Sequence, residues 1–250
     1  MHLPSVDHPK ITATLVDKSG RRAFLGSCLA HVLHDGYTDL IYVMLPIWQT
    51  QFGIGYAWLA VIRALYLGSL AGLQVPANRL AKRFGDKTIL ILGTALAAIG
   101  YGMAGLSGSI LGLGVALSLA GAGSSSQHPI GSGIVSRTYG ASARGPLGVY
   151  NFAGDLGKAA LPGATSLLLI TLSWHLALLV IAIVGLAVAM LIAIWLPDIS
   201  RIPSRRVLRN QSSRRPHPAP ASRPSQGKDL QRRTRLIDRR DSSYFDLEKF

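Results

Sequence analysis

A short series of ionisable side chains interrupts an otherwise apolar stretch near the start of the chain. His31, Asp35 and Asp39 are spaced by four residues, and His34 follows His31 by three. At about 100° per residue of α-helix, these side chains share one face of the helix. Carboxylates and imidazoles can take up and release protons. The pattern therefore predicts a proton-coupling site with Asp35 or Asp39 as the proton carrier.

Polar side chains in other apolar stretches predict a binding site for a small polar or anionic solute. Asp155 and Lys158 are spaced so that they can pair on one helix turn, which would hold Asp155 ionised and leave the first stretch as the better proton carrier. In an alternative interpretation the charges are ion pairs that only hold helices together, Asp35 or Asp39 with Arg63 and Asp155 with Lys158. The expected substrate-binding residues are His31, His34, Arg63, Gln127, His128, Asn151, Asp155 and Lys158.

The elements that must position these residues are predicted to be membrane helices. Of the 250 residues, 49% are hydrophobic and only 15% are charged, which argues against an ordinary water-soluble domain. A bilayer crossing needs roughly 20 mostly apolar residues. Six stretches meet this need and predict an all-α bundle of six transmembrane helices: 24–47, 58–77, two helices within 88–136 that are separated by a turn at 106–110, 148–172 and 176–195.

The distribution of lysine and arginine predicts the orientation of these helices. Basic residues fall in every second connection between the predicted spans. This alternation predicts a multi-pass inner-membrane protein with both termini on the cytoplasmic side. Residues 1–23 are expected to form a cytoplasmic segment, 24–197 the six-span unit, and 198–250 a disordered basic tail with few large apolar residues. A charge at the bilayer centre costs about 2.5–3.5 kcal/mol, so the ionisable groups should border a water-filled path.

Several sequence stretches resemble a known transporter family. They are HDGYTDLIYVMLPIWQTQFG, ALYLGSLAGLQVPANRLAKRFGDK and SSSQHPIGSGIVSRTYGASARGPLGVYNFAGDLGKAALPG. Together they are similar to the N-terminal half of a major facilitator superfamily transporter of the fosmidomycin-resistance type. The resemblance implies half of a twelve-helix fold that exports a drug-like phosphonate in exchange for protons and so confers antibiotic resistance. It also implies that a second six-span half, or a second copy of the chain, completes the transporter.

Two family motifs are partly present. The signature loop between the second and third spans predicts gating roles for Arg79, Arg83, Gly85 and Lys87, although Lys82 replaces its usual acid and Asp86 stands where a basic residue is common. The antiporter motif of the fifth span predicts helix packing at Gly148, Gly157 and Pro162, although Leu161 replaces its third glycine.

Other functions are less well supported by the sequence. The change of composition at Asp198 suggests a truncated or frame-shifted product, which would leave a non-transporting membrane remnant or scaffold. A rhomboid-type serine protease would need Ser132 and His175 to meet, and Ile130 stands where that family needs glycine. No spacing of metal ligands and no phosphate or dinucleotide loop is present, so we expect no enzyme activity, cofactor, metal or nucleic-acid partner.

Overall fold

A computed structural model describes residues 18–198, and these form helices joined by short turns. The helix α1 begins at Lys18, so the last residues of the predicted N-terminal segment belong to this helix rather than to a separate segment. Residues 1–17 and the predicted tail from 199 onward lie outside the described residues. The helices are α1 Lys18–Phe52, α2 Tyr56–Gly72, α3 Gln74–Phe84, α4 Asp86–Gly105, α5 Ile110–Ser124, α6 Gln127–Tyr139, α7 Arg144–Thr171 and α8 Trp174–Trp195.

Serine residues in the turns explain where two of these helices begin. The side chain of Ser109 accepts a hydrogen bond from the Gly112 backbone N–H at the start of α5. Ser173 accepts one from the Leu176 N–H at the start of α8. Such caps satisfy backbone donors that have no partner inside the helix. The predicted hairpin turn at 106–110 is confirmed, because α4 ends at Gly105 and α5 begins at Ile110.

Two of the predicted apolar stretches each contain a break. The axes of α2 and α3 differ by 41°, with Leu73 between the two helices. Ser125 and Ser126 separate α5 from α6, and α6 continues to Tyr139. The fourth stretch thus consists of two shorter helices. Helical structure continues beyond the polar residues that follow Ser124.

Gly85 forms the junction between α3 and α4. Its φ angle is +92°, a backbone conformation in which a side chain is strained. Its N–H donates a hydrogen bond to the Ala81 carbonyl and so ends α3, and α4 begins at the next residue. The predicted loop residue Gly85 is therefore required by backbone geometry.

The helices pack around two apolar clusters that follow each other along α1. One contains Ala23 and Ala30 of α1, and the other contains Leu33, Tyr37 and further α1 residues up to Trp48. The helix α1 packs mainly against α7, whereas α4 packs against α5 and α8. The ionisable residues of α1 begin at the boundary between the two clusters, so they lie at the middle of the bundle.

By length and apolarity alone, two helices in the described part of the chain are able to cross a bilayer, namely Asp86–Gly105 and Trp174–Trp195. The bent pair α2 and α3 would be a third if it counts as one span. The six predicted spans are therefore not confirmed on this criterion. The physical reason is that α1 and α7 carry several charged residues, and that α5 and α6 are each shorter than the roughly 20 residues a crossing needs.

Candidate functional site

The carboxylate of Asp35 is the centre of a buried ionic cluster between α1, α6 and α7. Asp35 is the central residue of α1 and is only 5% exposed. Its Oδ2 atom lies 3.3 Å from Nζ of Lys158, which stands at the centre of α7. A buried carboxylate is costly unless it is paired, and the ammonium of Lys158 supplies this pairing.

Three imidazoles surround the other carboxylate oxygen of Asp35. The Oδ1 atom lies 3.7 Å from Nδ1 of His31, 3.9 Å from Nε2 of His34 and 3.6 Å from Nε2 of His128. His31 and His34 belong to α1, whereas His128 stands in the first turn of α6, after the break that follows α5. The broken helix therefore brings His128 to the ionisable face of α1.

Ring contacts hold the imidazoles in place. The ring of His31 stacks on Tyr150 of α7, with centroids 4.0 Å apart and planes 4° apart. The His128 ring meets His31 and His34 edge to face, with centroid distances of 5.0 and 4.7 Å. The Nδ1 atom of His31 and both ring nitrogens of His34 are buried and have no hydrogen-bond partner among the described residues.

The space for this cluster exists because α7 carries a glycine opposite α1. A Cβ atom at Gly154 would lie 2.5 Å from Oδ2 of Asp35 and 2.5 Å from Nε2 of His31. Any side chain at this position would therefore displace the groups that form the cluster. Gly154 is thus a site residue, because its lack of a side chain leaves room for Asp35 and His31.

One side of the cluster is open. The side chains of His128 and Lys158 are 46% and 44% exposed, in contrast to the buried carboxylate between them. Lys158 also lies 3.0 Å from Oδ1 of Asp155, whose side chain is 68% exposed. Asn151 is exposed on the same helix. A solute that reaches this side would meet an ammonium, an imidazole and an amide before it meets the Asp35 carboxylate.

Other predicted site residues do not join the cluster. Asp39 is half-buried and forms no ion pair among the described residues. Arg63 donates a hydrogen bond to the Tyr42 hydroxyl and lies 4.3 Å from the centroid of that ring. The ion pair of Arg63 with Asp35 or Asp39, which belongs to the alternative interpretation, is absent from the described residues. Gln127 is buried and donates to Thr94 of α4 at 2.6 Å, and it makes no hydrogen bond to the cluster among the described residues.

The geometry does not favour the protease alternative. Ser132 lies within α6, and its hydroxyl donates a hydrogen bond to the His128 carbonyl of the same helix at 2.6 Å. No hydrogen bond joins Ser132 to His175 within residues 18–198. A serine nucleophile needs its base within hydrogen-bond reach, and this pair does not meet that requirement.

The predicted gating loop contains a salt bridge that involves none of the residues for which a gating role is predicted. Arg79 and Arg83 are exposed, Lys87 is half-buried, and Arg83 lies over the ring of Phe84. The bridge joins the Asp86 carboxylate, at the start of α4, to the Arg137 guanidinium in the last turn of α6. Asp86 is one of the residues that depart from the family pattern, and it ties this loop to the far end of α6.

We expect the Asp86 and Arg137 bridge to make a modest contribution to stability. Asp86→Asn and Arg137→Gln should each lower the free energy of unfolding by about 0.2–1 kcal/mol, because exposed ion pairs are screened by water. The charge-swapped double variant, Asp86→Arg with Arg137→Asp, should recover most of this loss in thermal unfolding of the purified protein. Equal and additive losses with no recovery would mean that the two charges act separately.

The three predicted packing positions on α7 differ in their surroundings. A Cβ at Gly157 would lie 2.0 Å from the Val32 carbonyl oxygen of α1, so this glycine is a point of close helix contact. A Cβ at Gly148 would have no heavy atom within 4 Å, so the packing expected there is not found among the described residues. Pro162 lies within α7 and has no N–H to donate to the carbonyl one turn earlier, which belongs to Lys158.

Sequence reasoning assigned no site role to Tyr150 and Gly154. Both lie on the face of α7 that contacts α1, together with Gly157, and all three are buried. Their spacing of four and three residues places them on one face of the helix. This spacing is the one sequence signal that could have indicated their role. Sequence reasoning also predicted no metal site, but potential ligand atoms of His31, Asp35 and His128 lie within 4.8 Å of one another. His31 and Asp35 are one helix turn apart, but His128 is distant from both in the chain, so the three residues form no recognisable ligand motif.

Comparison with known proteins identifies the family and the fold. The family model of the Major Facilitator Superfamily matches residues 27–237, a range that continues past Asp198 into the predicted tail. No curated protein matches the chain significantly. Among solved structures, a bacterial homolog of the human lysosomal transporter Spinster, in an inward-facing and unoccupied conformation, matches with a TM-score of 0.61 and 17% identity. The match covers 86% of this chain and 47% of that chain, so this chain spans about half the length of that transporter.

Proposed function

Because this chain belongs to the Major Facilitator Superfamily, a family of membrane transporters, we propose that it forms one half of a proton-coupled exporter of a small polar or anionic molecule. The observation that carries the proposal is the buried Asp35 carboxylate paired with Lys158 at the centre of the bundle. Charged groups at this depth are tolerated where they face one another or a water-filled cavity. A cluster that is buried on one side and open on the other provides both conditions.

Asp35 is the better candidate for the proton carrier. Its carboxylate has a cation on one oxygen and imidazoles around the other, so a change in its protonation would alter every contact in the cluster. Asp39 has no comparable partner among residues 18–198. We therefore place proton coupling at Asp35 and leave Asp39 in a supporting role.

The substrate is proposed to bind on the open side of the cluster. His128, Lys158 and Asn151 would donate hydrogen bonds to an oxyanion, and the ammonium would supply the opposite charge. Asp155 would hold Lys158 between two carboxylates until the substrate arrives. A phosphonate such as fosmidomycin fits this donor set, and the sequence resemblance described above points to the same class.

In this proposal the described helices make six crossings, with the pairs α2 and α3, and α5 and α6, each acting as one span. Both termini lie on the cytoplasmic side of a bacterial inner membrane. A second six-span half, from another chain or a second copy, would cover the exposed face of α7 and the exposed apolar side chains Trp58, Val61 and Leu65 of α2. The bilayer surrounds the assembly, protons drive export, and antibiotic resistance is the expected phenotype.

Everted inner-membrane vesicles that contain the chain test the proposal. Vesicles with an acidic interior should accumulate labelled fosmidomycin above the level of vesicles without the protein, because inward transport is then driven by outward proton movement. A protonophore should abolish the difference. Failure to accumulate fosmidomycin and other small phosphonates, with the protein correctly inserted and assembled, would contradict transport and favour the membrane scaffold alternative.

A further inference from the structure

The histidine residues around Asp35 form a set of donors that the transport proposal uses only in part. His31, His34 and His128 present ring nitrogens to one carboxylate oxygen at 3.6–3.9 Å. Imidazole and carboxylate together are the donors of Zn²⁺ and related first-row divalent ions. We propose that this cluster is a binding site for a divalent transition metal ion such as Zn²⁺, with His31, His128 and Asp35 as ligands and His34 as a fourth donor. Binding at this site does not depend on transport activity.

The distances in the cluster are those of donors arranged around a shared centre. They exceed the reach of an ordinary hydrogen bond, yet donor atoms of His31, Asp35 and His128 all lie within 4.8 Å of one another. In a tetrahedral zinc site with bonds of about 2.0–2.1 Å, neighbouring donors are roughly 3.3 Å apart. The nitrogen atoms of His31 and His128 lie 3.7 and 3.6 Å from Oδ1 of Asp35, so side-chain movements of less than about 1 Å would bring these atoms to the donor separations of a zinc site.

Unpartnered nitrogen atoms are the second observation that points to a ligand. The side chains of His31 and His34 are 4% and 1% exposed. Nδ1 of His31 and Nε2 of His34, the atoms nearest to Asp35, have no hydrogen-bond partner among the described residues. A buried polar atom without a partner is unfavourable. A metal ion would supply the missing partner to both rings at once.

The formal charges of the cluster also favour a cation. The carboxylates of Asp35 and Asp155 outnumber the single ammonium of Lys158, and the three imidazoles are neutral when they act as ligands. Lys158 contacts only Oδ2 of Asp35 and leaves Oδ1 to the histidines. Its side chain is 44% exposed and is also bonded to Asp155, so it can retain that partner when a metal ion binds.

The half-exposed ring of His128 provides a route of entry and the best residue for a test. Its side chain is 46% exposed. Its removal should therefore disturb the buried packing less than the removal of His31 or His34. His175 is a matched control, since it is a half-buried histidine whose ring lies against that of Trp174, outside the cluster. The remaining histidines are His2, His8 and His217, which lie outside the described residues. Replacing these three together tests whether they bind the ion adventitiously.

The experiment is a titration of the purified full chain with Zn²⁺ by calorimetry and with Co²⁺ by visible absorption. We expect one ion per chain and the intense visible bands of tetrahedral Co²⁺. His128→Ala should weaken binding at least about tenfold, whereas His175→Ala should leave it unchanged. Thermal unfolding without metal should show that each variant retains its fold.

A second variant gives a result of opposite sign. Lys158→Gln removes a positive charge next to the ion, so it should strengthen Zn²⁺ binding severalfold. A merely structural cluster would show no such gain. The proposal is overturned if His128→Ala binds Zn²⁺ as tightly as the unchanged chain, or if binding is lost only when His2, His8 and His217 are replaced together.

Discussion

Replacement of Asp35 by asparagine is expected to abolish accumulation of the substrate driven by a proton gradient. The amide cannot take up or release a proton, so substrate movement would no longer be linked to proton movement. Accumulation in everted vesicles should fall to the level of vesicles that lack the protein. Exchange of labelled for unlabelled substrate, measured without a gradient, should persist because it needs no net proton transfer.

The same variant should remain folded. Loss of one partner of a fully buried ion pair costs about 3–5 kcal/mol, but Lys158 is partly exposed and keeps Asp155 at 3.0 Å. The cost should therefore lie well below that range, and thermal unfolding will check it. Loss of both accumulation and exchange in a folded variant would place Asp35 in substrate binding rather than in proton coupling.

Asp39→Asn is the matched control for this prediction. Asp39 lies one helix turn from Asp35 on the same helix, is half-buried, and has no ion pair among the described residues. We expect this variant to retain most of the gradient-driven accumulation. The reverse pattern, with Asp39→Asn inactive and Asp35→Asn active, would transfer the coupling role to Asp39.

Replacement of Gly157 by alanine is expected to give the largest loss of stability. The added Cβ would lie 2.0 Å from the Val32 carbonyl oxygen and 2.7 Å from its carbonyl carbon, and backbone atoms cannot turn aside as a flexible side chain does. Overpacking typically costs about 1–3 kcal/mol, and we expect at least the upper end of that range. At about 2–4 °C per kcal/mol for a chain of this size, thermal unfolding will detect the change.

Gly148→Ala makes the same chemical change on the same helix in open surroundings. No heavy atom lies within 4 Å of a Cβ at that position, so the added methyl group meets nothing in the described part of the chain. Alanine favours a helix over glycine by up to about 1 kcal/mol, which predicts equal or slightly greater stability. Equal losses in both variants would mean that helix propensity, rather than the contact between α1 and α7, decides the outcome.

The two glycine variants distinguish two faces of α7. The face with Tyr150, Gly154 and Gly157 is buried against α1, whereas the face with Asn151 and Asp155 is exposed. The sequence shows polar residues and glycines mixed along one apolar helix, and it does not reveal which face has a partner within the chain. The structure separates a packing face from a face that remains open for a solute or a second half.

Much of the fold followed from the sequence alone. Apolar stretches interrupted by short polar turns predicted an all-helical protein with a hairpin between α4 and α5, because the hydrophobic pattern and the turn residues are local properties of the chain. The family resemblance followed from local motifs as well. The placement of Asp35 on a polar helical face needed only the helix period.

Contacts between distant segments were decided by the tertiary structure. Only the fold shows that His128 joins His31 and His34 around Asp35, that Lys158 pairs with Asp35 in addition to Asp155, and that Arg63 turns to Tyr42 instead. It also shows that Asp86, a departure from the family motif, bridges to Arg137. Such contacts depend on the angles and breaks of packed helices, and a helical pattern fixes which residues share a face but not which helix that face meets.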